Sequence, residues 1–331
     1  MLLTLLVFLF SAVTIYVACD YFVNAIEWVG RRLQLGATAV GSVLAAFGTA
    51  LPESAVTFTA VVFGQTPEQK ELGIGAAMGG PLVLATLAYA VVGLTLWWHQ
   101  RQNSHPPRPV QADYLRLRHD QGAFLLVFIV KVALGLVTFA VKPWLGSLFL
   151  AAYALYVWRE IHTADTAPDE ASLEPLKLQP TSQSPTLTFA LLQVGGALIV
   201  IAFASHLFVA QLETIGHFMN WPPHRVALLL SPVATELPEI MNALIWVRQG
   251  KERLALANIS GAMMIQATIP SALGIFFTPW QFDTSLLLAG LVTAAAICYV
   301  WCLFRRGAVY GLQLLFSAGF YAVFIIMLIY Y

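Results

Sequence analysis

Gly48-Thr49-Ala50-Leu51-Pro52-Glu53 and Ala234-Thr235-Glu236-Leu237-Pro238-Glu239 are the two runs on which the reading of this chain turns. Both carry T-x-L-P-E, at an offset of 186 residues, and each lies midway along a long apolar stretch. A carboxylate at bilayer depth costs about 3 kcal/mol even on the mildest insertion scales. Proline in a helix removes a backbone hydrogen bond. One such pairing marks a site. Two, in matching positions, mark a duplicated transport unit.

Composition sets the environment. Of 331 residues, 59% are hydrophobic and 10% charged, against about 25% charged in an average soluble domain. The mean hydropathy is +0.76, so this is an integral membrane protein. Net charge is zero, which gives no footing for nucleic acid; the partners expected are inorganic cations and membrane lipid, and no cofactor is expected. The oligomeric state is left open. Cys19, Cys298 and Cys302 lie in apolar segments at no metal-ligand spacing and read as small hydrophobes. Met1 to Ala18 has the apolar character of a signal peptide but no preceding positive charge, and reads as a retained first helix.

At about 20 apolar residues per span, the chain divides into ten transmembrane helices near 2–27, 37–63, 73–98, 122–140, 143–158, 187–213, 221–247, 254–277, 283–304 and 308–331. The expected fold is therefore all-α: two inverted five-helix repeats with Pro-broken helices 2 and 7. Residues 1–158 form the first half, 159–186 a cytoplasmic linker rich in Pro, Ser, Thr, Asp and Glu, and 187–331 the second half. Basic residues orient the series. With alternating loops, one side receives Arg31, Arg32, Arg101, Arg108, Arg116, Arg118, Arg159, Lys177, Arg248, Lys251, Arg253, Arg305 and Arg306. The other receives only Lys70, Lys142 and Arg225. By the positive-inside rule both termini lie outside the cytoplasm. Five helices per half then force the second half to enter the membrane with opposite polarity, which sets two interrupted helices against each other near the midplane.

The units align beyond T-x-L-P-E. Gly64 matches Gly250 at the same offset; then, at an offset of 182, Leu72-Gly73-Ile74-Gly75-Ala76-Ala77-Met78-Gly79 faces Leu254-Ala255-Leu256-Ala257-Asn258-Ile259-Ser260-Gly261. Small residues in these second helices permit close approach. Pro52 cannot donate to the Gly48 carbonyl, nor Pro238 to that of Ala234, so each kink frees a carbonyl oxygen. Thr49 and Glu53 share a helix face, as do Thr235 and Glu239. Glu236, three residues before Glu239, reads either as a third acid in the same cavity or as the partner of a nearby base. Carboxylates, hydroxyls and freed carbonyls make the all-oxygen donor set that a hard divalent cation such as Ca²⁺ takes. The same carboxylates could exchange protons.

On these motifs the chain resembles the sodium/calcium exchanger, or cation/calcium antiporter, superfamily. Its alpha repeats carry G-T-S-[LV]-P-E followed by G-N-x-x-G-S-N, and the local resemblance covers about 40–86 and 226–275. The resemblance implies exchange of Ca²⁺ or a related cation for Na⁺ or H⁺ by alternating access. It makes Glu53 and Glu239 the principal cation carboxylates, with Thr49 and Thr235 contributing backbone oxygen and Asn258 retained from the second motif; Glu236, by its position, joins them as a candidate ligand. Departures begin in the motifs, where Ala50 replaces the first serine and Glu236 stands where the second repeat would have its own. On the second helix of the first unit, Ala76, Gly80 and Pro81 stand where the family has Asn, Ser and Asn. In the second unit Ala262 and Met263 replace Ser and Asn, and Gln266 stands where several relatives carry an acid. These losses support a second reading, a non-transporting membrane scaffold or sensor on the same fold.

Other polar residues have ordinary expectations. Lys131 reads either as neutralising an acidic group or, the favoured reading, as snorkelling from a shorter or shifted fourth helix. His206 reads as a buried, hydrogen-bonded histidine in preference to a proton relay. Gln193, Ser205 and Gln211 read as interhelical hydrogen bonders. Asp20, Asn24 and Glu27 line one side of the first helix. Trp97, Trp98, Trp144, Trp158, Trp221 and Trp280 read as interfacial anchors. No soluble-enzyme signature is present, and a prokaryotic inner membrane is the expected location.

Overall fold

A computed structural model describes residues 1–32, 44–102, 108–163, 174–182 and 185–330. Helices α1 (Leu2–Arg32), α2 (Leu44–Phe58), α3 (Pro67–Val83), α4 (Tyr89–Gln102), α5 (Tyr114–Gly135) and α6 (Gly146–Thr163) precede the linker. Helices α7 (Leu187–Met219), α8 (Pro223–Thr235), α9 (Leu237–Arg248), α10 (Glu252–Phe277), α11 (Thr284–Arg305), α12 (Gly311–Leu315) and α13 (Ser317–Tyr330) follow it. Among the described residues seven helical runs are long and apolar enough to cross a membrane, and Ala50–Phe63 is a shorter apolar run. The protein is an all-helical, multi-pass integral membrane protein. Lipid-facing positions are apolar, as at Leu9, Phe203, Leu291 and Ile329, all exposed on helix surfaces.

Helix starts follow side-chain caps. Thr66, Asp113, Thr186 and Asp283 each accept a backbone N–H of the first turn, satisfying donors that the first turn leaves open. Asp113 starts α5 eight residues before the sequence-based limit of 122, so Asp120 and Gln121, expected in a loop, lie buried inside a helix.

The two prolines of the T-x-L-P-E runs act differently. Pro238 opens its helix: Glu236, at φ −94° and ψ −8°, ends α8 and begins α9. Pro52, expected to break its helix, lies within an unbroken α2. One missing donor bends a helix without ending it when the flanking bonds persist, and the Ser54 hydroxyl donates to the Ala50 carbonyl at 3.0 Å beside it. The irregularity of this run falls later, where Thr59–Phe63 winds to a wider i→i+5 turn. A second such turn, Leu84–Ala88, joins α3 to α4.

Close contacts give helix directions. Phe8 stacks on Phe208 at 4.7 Å near one end of α1, and Gln193 donates to Asn24 at 3.0 Å near the other, so α1 and α7 run antiparallel. Gly75 lies against the His224 carbonyl, and Gly79 against Leu228 and Pro232; α3 and α8 therefore run parallel. A short turn folds α3 back on α2, with Gly73 against Val61 and Ala60. Hence α2 and α8 point in opposite senses.

The main core joins α3–α5 to α10, α11 and α13; a second cluster joins α1, α2, α3, α7 and α8. Asn24 is buried and, with Gln193, holds the end of the linker: Asn24 donates to the Pro175 carbonyl at 3.2 Å, and Gln193 accepts from Leu178 N–H at 2.8 Å. Asp20 pairs with Lys177 in the same place. Glu27 lies outside the residues whose side chains are described.

Four expectations change. His206 is exposed on α7 rather than buried. Trp280 is wholly buried over Gly274, not interfacial, whereas Trp98, Trp144, Trp158 and Trp221 are exposed. Cys298 and Cys302 face outward on α11, and only Cys19 is buried. Lys131 does not snorkel. Its side chain is fully buried and its ammonium donates to the Ala77 carbonyl at 3.0 Å.

Candidate functional site

The gap between α8 and α9 places three acids in the interior. Glu236 occupies the gap itself, Glu239 the first turn of α9, and Glu53 the adjoining turn of α2. All three are about 99–100% buried. Thr235, the last residue of α8, connects two of them. Its hydroxyl donates to Glu53 Oε2 at 2.6 Å and lies 3.2 Å from Glu236 Oε1. A hydroxyl has one proton, so the shorter contact to Glu53 takes it. From α10, the Gln266 amide donates to Glu236 Oε2 at 2.7 Å.

Much of the polar surface has no partner. Glu53 Oε1, both oxygens of Glu239, Gln266 Oε1, Thr57 Oγ1 and Ser231 Oγ are buried without a hydrogen bond. Buried polar groups are nearly always paired, because leaving one unpaired costs about 1–3 kcal/mol. Half of the six carboxylate oxygens therefore still require a proton or a cation. The N-terminus of α9 presents its positive dipole end to Glu239.

The floor of this region is α3. A Cβ on Gly80 would stand 2.8 Å from Gln266 Oε1 and 3.2 Å from Glu236 Oε1, so only a residue without a side chain lets α3 approach. The Asn or Ser of other alpha repeats would fill that space.

The structure brings together Glu53, Thr235 and Glu236, with Glu239 in the next turn. Asn258 makes no hydrogen bond to them: it is eight residues from Gln266 on α10, about 12 Å along the axis, and its Nδ2 is buried without a partner. The Thr49 side chain lies outside the described residues. Among the described residues no group of three or more His, Cys, Asp or Glu closes into a metal cage. Glu53 and Glu236 share Thr235, while Glu239, one turn on, hydrogen-bonds to neither.

Sequence reasoning marked Gln266 only as a departure from the family's acid and favoured a snorkelling Lys131, placing neither in this interior. Lys131 had a clear signal, a cation amid apolar residues, but its place depends on where α5 starts. A separate buried network also emerges: Gln121 donates to Tyr89 Oη at 2.7 Å and lies 3.2 Å from Ser260 Oγ, which donates to Asp120 at 3.1 Å. No sequence motif announced it.

Fold and site define a class, a polytopic helical membrane protein with an acidic interior built where a helix is interrupted. Family comparison gives the specific assignment: the chain belongs to the sodium/calcium exchanger protein family, whose model matches residues 3–161 and 189–330. It is 24% identical over 311 residues to the inner membrane protein YrbG of Escherichia coli strain K12, covering 90% of each chain. Among solved structures it is similar to the H⁺/Ca²⁺ exchanger CAX, with a TM-score of 0.74 at 16% identity over 98% of this chain and 82% of that one. It is also similar to the sodium-calcium exchanger NCX_Mj, with a TM-score of 0.60 at 19% identity over 98% of both chains.

Proposed function

We propose that this protein is a secondary antiporter that exchanges Ca²⁺ or a related cation for Na⁺ or H⁺ by alternating access around Glu53 and Glu239. The observation that carries the reading is the set of unpaired carboxylate oxygens in a fully buried, otherwise apolar interior. Such groups are retained at a cost only where a cation or a proton occupies them in turn. Thr49, Thr235, Glu236 and Asn258 complete the proposed ligand set. Opposed α2 and α8 support the two inverted five-helix halves, 1–158 and 187–331, joined by the 159–186 linker. The charge bias of the loops supports termini outside the cytoplasm, in a prokaryotic inner membrane such as the one that YrbG's name indicates. The H⁺/Ca²⁺ exchanger CAX and the sodium-calcium exchanger NCX_Mj share this fold, so the fold does not choose the counter-ion.

That no hydrogen bond joins Glu239 to Glu53 or Glu236 favours a second reading, a scaffold with a degenerate ion site. Flux separates the two. In proteoliposomes with Na⁺ and pH gradients imposed independently, saturable Ca²⁺ counter-flux is expected, and Glu53→Gln or Glu239→Gln reduces it at least 100-fold while the protein stays folded. Unchanged flux in both variants overturns the assignment. Absence of any gradient-driven divalent flux in the unaltered protein favours the scaffold.

A further inference from the structure

Lys131 is a buried cation in a membrane helix whose contact the antiporter reading does not use. Its side chain is fully enclosed, and its aliphatic stem and ammonium pack beside Phe128, with Nζ 4.8 Å from the ring centre. Among the described residues no carboxylate lies within ion-pair distance of it. Its hydrogen-bond partner is a backbone carbonyl, Ala77 O at 3.0 Å. That carbonyl is special. In an α-helix it would accept from the N–H of residue 81, and residue 81 is Pro81, inside α3. The ammonium therefore occupies a main-chain oxygen that proline has released, the kind of oxygen a bound alkali cation would take.

Position ties this contact to the acids. Carbonyls in a helix point toward its C-terminus, so the Ala77 oxygen sits at the height of Gly80 and Pro81. Gly80 is where α3 meets Gln266 and Glu236. The charge of Lys131 also acts on Glu53. Trp280 fixes the backbone behind it, its indole donating to the Lys131 carbonyl at 3.1 Å. A second proline-released oxygen, Gln266 O ahead of Pro270, is met by a neutral group, the Ser271 hydroxyl at 3.5 Å. Of these two, the Ala77 oxygen receives a full charge.

We propose that Lys131 is a tethered internal cation of the ion site, holding by a covalent arm the place that a free monovalent cation would fill. This rests on reading Glu53, Glu236 and Glu239 as that site. The consequence is specificity: the unaltered protein needs no bound Na⁺ or K⁺ at this position, and removing the ammonium creates a vacancy selective for one.

The test is Lys131→Met, which keeps the stem and deletes the charge, beside Lys131→Arg, which keeps the charge. Each purified protein is melted in detergent in NaCl, KCl or choline chloride at equal ionic strength. The unaltered protein and Lys131→Arg are expected to share one salt dependence, whatever shift a transported Na⁺ gives both, and the gain in Lys131→Met is read over that baseline. Lys131→Met is expected to gain a saturable shift of about 3 °C or more in Na⁺ or K⁺ over choline. A folded Lys131→Met with no ion-specific shift overturns the inference, as does an equal shift in the unaltered protein. If Lys131→Met does not survive extraction, purification in sodium or potassium against choline is the same readout: recovery in the alkali salt supports it and equal loss in all salts refutes it. This thermal readout needs no transport. Missing Ca²⁺ flux would remove the antiporter reading and leave the melting data to judge Lys131.

Discussion

At the scale of single residues, position in the fold decides which charges matter. Glu53, Glu236 and Glu239 are surrounded by apolar helices, whereas Asp283 sits just before α11 at the mouth of α3 and α8. Burial alone would push the Asp283 carboxyl up. Hydrogen bonds from His224, 2.9 Å away, from the Ser285 hydroxyl and from the Leu286 amide outweigh burial and hold it well below the usual carboxylate range. A group whose folded value is depressed adds stability above its unfolded value, near 4, and loses it as pH falls through the folded value. Asp283→Asn is therefore expected to melt roughly 2–4 °C lower than the unaltered protein at pH 7. The gap should narrow progressively below about pH 4, as measured by thermal unfolding across a pH series. A gap independent of pH would show that the charge of Asp283 is not its contribution. The residue T-x-L-P-E made legible was the acid; that Thr235 bridges Glu53 to Glu236, across 182 residues of sequence, was not. Spacing along one helix places side chains on a face, but only the crossing of two helices sets a hydroxyl 2.6 Å from a carboxylate.

At the scale of elements, glycine in α3 is a packing requirement. A Cβ at position 75 would lie 2.2 Å from the His224 carbonyl oxygen, a backbone atom that cannot turn aside. Gly75→Ala must therefore push α3 from α8, at a cost of about 1–3 kcal/mol. Gly195, by contrast, has nothing within 4 Å; Ala there lies in open space on α7 and is expected to be neutral or to raise stability by about 0.5–1 kcal/mol through helix propensity. Paired melting measurements check both signs, and equal effects at the two positions would refute the packing account. The Gly-rich pattern 72–79 announced close approach, and the structure names the partner as α8 rather than the equivalent helix of the other repeat. Sequence also misjudged α2, because one proline removes one donor and cannot by itself say whether the chain bends or opens. What opens the second copy is Glu236 together with Pro238, where the first copy has Ala50 and Pro52.

At the scale of the molecule, the loop charges make a prediction of their own. With thirteen basic residues on one side and three on the other, a C-terminal alkaline phosphatase fusion is expected to be active and a C-terminal green fluorescent protein fusion dark. Reporters inserted in the 159–186 linker should behave in the reverse manner. A fluorescent C-terminal fusion would reject the orientation. Membrane embedding, helical class, the duplicated acid motif and family resemblance were all determined by sequence alone, since each depends on composition, periodicity or short motifs that are local. Tertiary structure alone decided which polar groups meet: Gln266 with Glu236, Lys131 with the oxygen that Pro81 releases, and Glu53 with Glu236 through Thr235. Those meetings depend on how helices distant in sequence cross, and a fraction of a turn in any one of them would place a charge beside a different partner.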